Sequence, residues 1–172
     1  MKVKLEYGRA GLWADVPDNN LVSVLNLNTS PALTNVHEAV LGSLRNPIGT
    51  SELRELAADC NSVCIVVCDI TRPVPNQTLL PIILDELQSA GLSKSDVSIL
   101  IATGTHRPNV GDELNQIVGA EISSQYRCVN HYCSDKESME FVGDSPNGVP
   151  VWLNREYVKA DLKITVGLIE PH

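Results

Sequence analysis

Two stretches of the chain are almost continuously apolar: Val63-Cys64-Ile65-Val66-Val67-Cys68 and Val97-Ser98-Ile99-Leu100-Ile101-Ala102. Runs of that length and composition read as strands buried on both faces, the kind found in parallel sheets. Between them the pattern changes period. Leu79, Leu80, Ile82, Ile83, Leu87 and Ala90 recur at helical spacing from a start near Asn76 to a stop at Gly91. Pro81 falls early enough in this helix to be accommodated with some distortion. Strand, helix and strand together have the length expected of a right-handed βαβ crossover.

The flanking segments have other periods. Lys2 to Tyr7 alternates at period two, Gly8-Arg9-Ala10-Gly11 makes a turn, and Leu12 to Val16 runs back as a hairpin partner. Leu21 to Leu27 is a third short strand candidate. Thr29 or Ser30 is placed to cap a helix with Pro31 at its first position and Val36, Ala39, Val40 and Leu44 on one side, closed by Asn46-Pro47-Ile48-Gly49. Ser51 is placed to cap a second helix, Glu52 to Asp59.

Beyond the second buried strand, one helix is expected from Val110 to Ile122, then a strand from Tyr126 to Asn130. A hairpin follows, Met139 to Val142 and Val149 to Leu153 around Asp144-Ser145-Pro146-Asn147-Gly148. Asn154 caps a short helix through Val158, and Leu162 to Leu168 is the last strand. The expected fold is one α/β domain over residues 1–172. It is Rossmann-like, a mostly parallel sheet covered by helices, with an N-terminal β-hairpin.

Three of these strands end alike. The first buried strand runs into Asp69-Ile70-Thr71-Arg72-Pro73-Val74-Pro75, where the prolines cannot donate to a sheet ladder and hold Arg72 and Val74 away from helical conformation. The second runs into Thr103-Gly104-Thr105-His106-Arg107-Pro108, and the last into Glu170-Pro171-His172. In open α/β sheets the carboxyl ends of strands are where ligands bind.

Arg72 offers a fork of donors matched to a carboxylate or phosphate. Asp69 could hold Arg72 in place or accept from a substrate hydroxyl. His106 and His172 could move a proton on two faces of one small anion. Gly104 between threonines could form a nest of backbone amides for an anion. The plainer readings are a structural Asp69–Arg72 ion pair and ordinary loop histidines. His37 and His131, away from these loops, are expected to be structural or surface residues. Neither GxxxxGK[ST] nor GxGxxG occurs, so a familiar nucleotide loop has no support.

Composition narrows the picture. A net charge of −8 leaves no basic stripe for a nucleic-acid partner. No apolar run approaches the roughly 18 residues of a membrane span, and the charged, alternating amino terminus is unlike a signal peptide. With aromatic residues at 4%, the core must be built from Val, Leu, Ile and Ala. Five cysteines, three of them on or beside a buried strand, suit a reducing cytoplasm. Cys128 and Cys133 could bridge the two ends of one element, against the plainer reading of free thiols.

Asp69-Ile70-Thr71-Arg72-Pro73, Ala102-Thr103-Gly104-Thr105-His106-Arg107-Pro108 and Gly167-Leu168-Ile169-Glu170-Pro171-His172 together resemble the amino-terminal domain of the nickel-dependent lactate racemase family. The resemblance covers essentially the whole chain. It implies an isomerase, a racemase or epimerase of 2-hydroxy acids that uses a nickel-pincer nucleotide supplied by cofactor-making enzymes. A hydride leaves the substrate carbon bearing the hydroxyl and returns to either face.

On that pattern His106 and His172 are the paired catalytic acid/bases. Arg72 and Asp69 bind substrate, and Asp69, Thr71, Gly104 and Thr105 line the cofactor. The family's cofactor lysine and nickel-ligating histidine come later than residue 172. The resemblance therefore implies a longer protein, with this chain unable to anchor the cofactor or turn over alone. A non-catalytic small-anion-binding module and a cofactor-free His/Asp enzyme remain the alternatives.

Overall fold

The computed structural model describes every residue except 9, 26–29 and 170–172. Contacts divide the chain into two compact units, Met1–Thr34 and Asn35–His172.

In the first unit, β1 (Lys2–Leu5) pairs antiparallel with β2 (Leu12–Asp15), Val3 opposite Ala14 and Leu5 opposite Leu12. Gly11 closes the turn at φ +74, a conformation that disfavours a side chain, and an added Cβ would lie 3.1 Å from the Leu5 carbonyl oxygen. The terminal ammonium of Met1 pairs with Asp18 at 2.6 Å. The expected third strand is not formed over residues 21–25, and its end lies outside the described residues. Val22 and Leu25 are exposed, so the alternating pattern there has no sheet face to bury.

The second unit is a four-stranded parallel sheet of β3 (Val63–Cys68), β4 (Val97–Ala102), β5 (Arg127–Asn130) and β8 (Leu162–Val166), in the order β5-β4-β3-β8. The α/β, Rossmann-like architecture with its N-terminal hairpin is as the sequence predicts. Register sets Val63 beside Val97 and Leu162, and Cys68 beside Ala102. From β3 the chain steps outward to β4 and β5. It then returns across the sheet to place β8 on the other side of β3. Strand order reverses between β3 and β8, and in open α/β sheets ligands bind at the carboxyl ends of the strands.

Val63, Ile65, Val67, Val97, Ile99 and Ile101 point to one face. There they pack with Leu53 and Ala57 of α2 (Leu53–Ala57), Leu80, Ile83, Leu84 and Leu87 of α3 (Asn76–Ser89), and Ile117 and Val118 of α4 (Asp112–Val118). On the opposite face Cys64 and Leu100 meet Ala160 and Tyr157, the latter on α6 (Arg155–Lys159). The hairpin β6 (Met139–Asp144) and β7 (Pro150–Asn154) leads into α6, and Asn154 caps that helix by accepting from the Glu156 amide at 2.9 Å.

Local details differ from the sequence expectation. The first helix, α1, spans Val36–Arg45. Asn35 rather than Ser30 caps it, accepting from Glu38 N at 3.1 Å, Pro31 stays in the preceding coil, and Thr29 lies outside the described residues. Helix α2 is entered through extended Glu52 without a side-chain cap, so Ser51 does not serve. The helix expected over Val110 to Ile122 breaks at Gly119, φ +92, into α4 and α5 (Ala120–Gln125). The last strand stops at Val166 instead of Leu168.

Candidate active site

The loop after β3 is built around one carboxylate. The Arg72 amide donates to the Asp69 carbonyl at 3.2 Å, turning the chain as soon as the strand ends. The Thr71 hydroxyl and amide both donate to Asp69 Oδ1, at 2.6 and 3.3 Å, an Asx-type turn that fixes the side chain. Asp69 is only 5% exposed. Burial by itself pushes its pKa up, but the hydrogen bonds from Thr71 and His106 outweigh burial and hold it below the usual value.

The loop after β4 brings the partner. Thr103 to His106 forms a tight turn, the His106 amide donating to the Thr103 carbonyl at 2.9 Å with Gly104 at φ +58. The buried Thr103 hydroxyl donates to the His131 carbonyl, tying this turn to the end of β5. His106 Nδ1 then lies 2.7 Å from Asp69 Oδ2. An ionised carboxylate only accepts, so Nδ1 carries a proton, and in the neutral imidazole Nε2 is the acceptor. The His106 side chain is 54% exposed, so Nε2 is open to a ligand.

This geometry corrects one expectation. The Asp69 carboxylate faces His106 and Thr71, and it makes no ion pair with Arg72. Among the described residues the Arg72 guanidinium has no partner. Arg72 lines a cleft of about 290 Å³ with Cys68, Asp69, Thr71, Ala102, Thr103, Gly104, Thr105 and His106. Gly104 and Thr105 line the same cleft, and neither amide has an acceptor among the described residues. A second depression of about 280 Å³ lies against Ile70, Arg107 and Asn109 and shares Asp69, Thr71 and His106.

Arg107 does not resemble Arg72 in use. Its two terminal nitrogens clamp both Glu113 oxygens at 2.6 Å each. Those hydrogen bonds, with one from Asn109, take the Glu113 carboxyl down to about 2. His172 and Glu170 lie outside the described residues. The strand that leads to them runs to the same edge, since a Cβ built on Gly167 would sit 3.9 Å from Cys68 Sγ. His37 is exposed on α1, and His131 Nδ1 pairs with Asn154 Nδ2 at 3.2 Å.

The sequence reading missed Asn109 and Glu113 altogether. Asn109 meets Ile70 and Asn130 on other strand-end loops, and apolar periodicity does not report the polar contacts of Glu113 with the preceding Arg107 and Asn109.

Among the described residues the remaining features add no second acid–base centre. A hollow of about 270 Å³ at the amino-terminal edge of the sheet includes Asp96 and Glu156, already held by Ser93 and Arg127. All five cysteines are free thiols, so Cys128 and Cys133 form no bridge. Among the described residues no three His, Cys, Asp or Glu side chains cluster as a metal site, and no helix is long and apolar enough to cross a membrane.

Fold and site together define an open parallel α/β domain with a carboxylate–imidazole pair at the carboxyl ends of β3 and β4. The profile of the lactate racemase N-terminal domain matches residues 7–172, and the chain belongs to that family. It is 36% identical over 172 residues to lactate racemase of Thermoanaerobacterium thermosaccharolyticum, covering 99% of this chain and 40% of that protein. It is 35% identical over 175 residues to lactate racemase of Lactiplantibacillus plantarum, again covering 99% and 40%. The solved lactate racemase apoprotein of T. thermosaccharolyticum superposes with a TM-score of 0.82 at 35% identity, over 100% of this chain and 40% of that one. The chain thus spans about 40% of the length of the curated relatives it matches.

Proposed function

We propose that this domain binds a 2-hydroxy acid such as lactate and handles its hydroxyl proton, as the amino-terminal part of a cytoplasmic racemase or epimerase. The observation that carries this reading is the Asp69–His106 pair, 2.7 Å apart, sharing one cleft with the unpartnered Arg72. Arg72 takes the substrate carboxylate as a bidentate partner. His106 Nε2 accepts the proton of the C2 hydroxyl. The Asp69 carboxylate, anchored by Thr71, stabilises the imidazolium that forms. Thr71 therefore acts through Asp69. On the family pattern His172 serves the opposite enantiomer.

The donor set suits an anionic nucleotide as well as a carboxylate. Arg72 and the free amides of Gly104 and Thr105 are the groups that would hold a phosphate, beside a floor of small side chains at Cys68 and Ala102. The nickel-pincer nucleotide implied by the family would, when bound, supply the acceptor for the C2 hydride. Five free thiols agree with a reducing cytoplasm.

The test uses the longer protein carrying this domain, produced together with cofactor-making enzymes and given lactate deuterated at C2. The expected result is racemised lactate that retains the deuteron. Release of the deuteron to solvent would overturn hydride return and favour a cofactor-free His/Asp enzyme working by deprotonation. No turnover across a panel of 2-hydroxy acids, with binding intact, would favour a non-catalytic anion-binding module.

A further inference from the structure

Asn109 is 1% exposed, and its polar groups make four hydrogen bonds to three residues around the site. Its Oδ1 accepts from the amide of Ile70, the residue after Asp69, at 3.3 Å. Its Nδ2 donates to Glu113 Oε2 at 3.1 Å, the same oxygen that Arg107, next to His106, holds at 2.6 Å. Its amide donates to Asn130 Oδ1 at 2.8 Å and its carbonyl accepts from Asn130 Nδ2 at 2.9 Å, a reciprocal pair at the end of β5. One side chain thus ties the loop bearing Asp69 to the loop bearing His106, while its backbone fastens both to a third strand end.

A buried amide whose donor and acceptor are both used fixes geometry more than it adds stability. We infer that Asn109 is a positioning residue that sets the approach of His106 to Asp69. The inference rests on reading that pair as the proton-handling centre, but its test does not require turnover.

The longer protein carrying this domain is labelled with ¹⁵N at histidine, and exchange of the His106 Nδ1 proton is followed by NMR at neutral pH. In the native chain this proton is protected by Asp69. In Asn109→Leu its exchange is expected to rise about tenfold, as one buried hydrogen-bonding amide is lost. Ile122→Val, a mild change in the core, is expected to leave it unmoved. Should Asn109→Leu fail to fold, N109D is close in shape and keeps an oxygen for Ile70 N, but it cannot donate to Glu113. Its exchange should also rise. Unchanged exchange in the Asn109 variants, or an equal rise in Ile122→Val, would overturn the inference. Lactate is then added to the native chain. Absence of any shift in the His106 signals counts against the substrate reading and leaves the exchange result standing.

Discussion

Asp69 and Glu86 are both nearly buried, at 5% and 3% exposed, and both carboxyls are held below their ordinary pKa. Their partners make them different devices. Glu86 on α3 accepts from Arg45 at 3.0 and 3.3 Å and from Arg54 at 2.7 Å, which ties α1 and α2 to α3. Arg45 contributes most to lowering its pKa, against the opposing effect of burial. Guanidinium groups do not titrate in the working range, so that cluster is closed to proton exchange. Asp69 is paired instead with an imidazole and a hydroxyl, and the imidazole is half exposed beside a cleft with an unpartnered arginine. A buried carboxylate between two permanent cations holds helices together. The same group beside a histidine can support proton transfer.

The largest expected effect separates these roles. Asp69→Asn should lower racemisation by the loaded, longer protein by about 10²- to 10⁴-fold, the range of acid–base catalysis and its orienting carboxylate. Because Asn still accepts from Thr71, the melting temperature should change little. A large fall in melting temperature with turnover intact would assign Asp69 to structure.

Arg72→Lys comes next. A point charge replaces a planar fork, and KM for lactate should rise on the order of tenfold with a smaller change in kcat. An unchanged KM would mean that Arg72 does not meet the carboxylate.

Glu86→Gln is the converse of the first change. It should cost about 1–3 kcal/mol of unfolding free energy in denaturant titration, at the low end if Arg45 and Arg54 turn their charges to water. Turnover should persist.

Acid should distinguish the two carboxylates from Glu113. The pKa values of Asp69 and Glu86 are depressed in the folded chain, so the unfolded chain binds more protons as the solution is acidified. Their stabilisation is present above the ordinary values of 3.8 and 4.5 and is lost as pH falls through the lower folded values. Glu113, taken from 4.5 to about 2, works in the same direction over that window. Its pair with Arg107 is solvent-facing, so Glu113→Gln should flatten the acid limb of the melting curve only slightly. Equal flattening by Glu86→Gln and Glu113→Gln would erase the distinction between buried and exposed pairs.

The buried strands were legible almost to the residue. Val63–Cys68 and Val97–Ala102 match the two apolar runs, and Asn76–Ser89 matches the helical period between them. Burial on both faces leaves little room for another reading. Weakly patterned segments were less legible. Asn35 displaced the expected caps of α1, and Gly119 divided a helix whose apolar spacing ran through it. Arg72 and Arg107 looked alike in sequence, each just before a proline beyond a strand. Whether a strand-end arginine stays open depends on a carboxylate such as Glu113 lying within reach, and apolar periodicity does not report that.

By itself the sequence determined the parallel α/β class, the strand ends where polar residues collect, and the family motifs. Apolar runs, prolines and turn residues act through near neighbours and can be read along the chain. The tertiary structure decided that Asp69 serves His106 instead of Arg72, and that Asn109 joins their loops. Asp69 and His106 are 37 residues apart, and they meet only because β3 and β4 pair in a register that sets Cys68 beside Ala102. A hydrogen bond needs its partners within about 3 Å, and only the closed sheet brings them there.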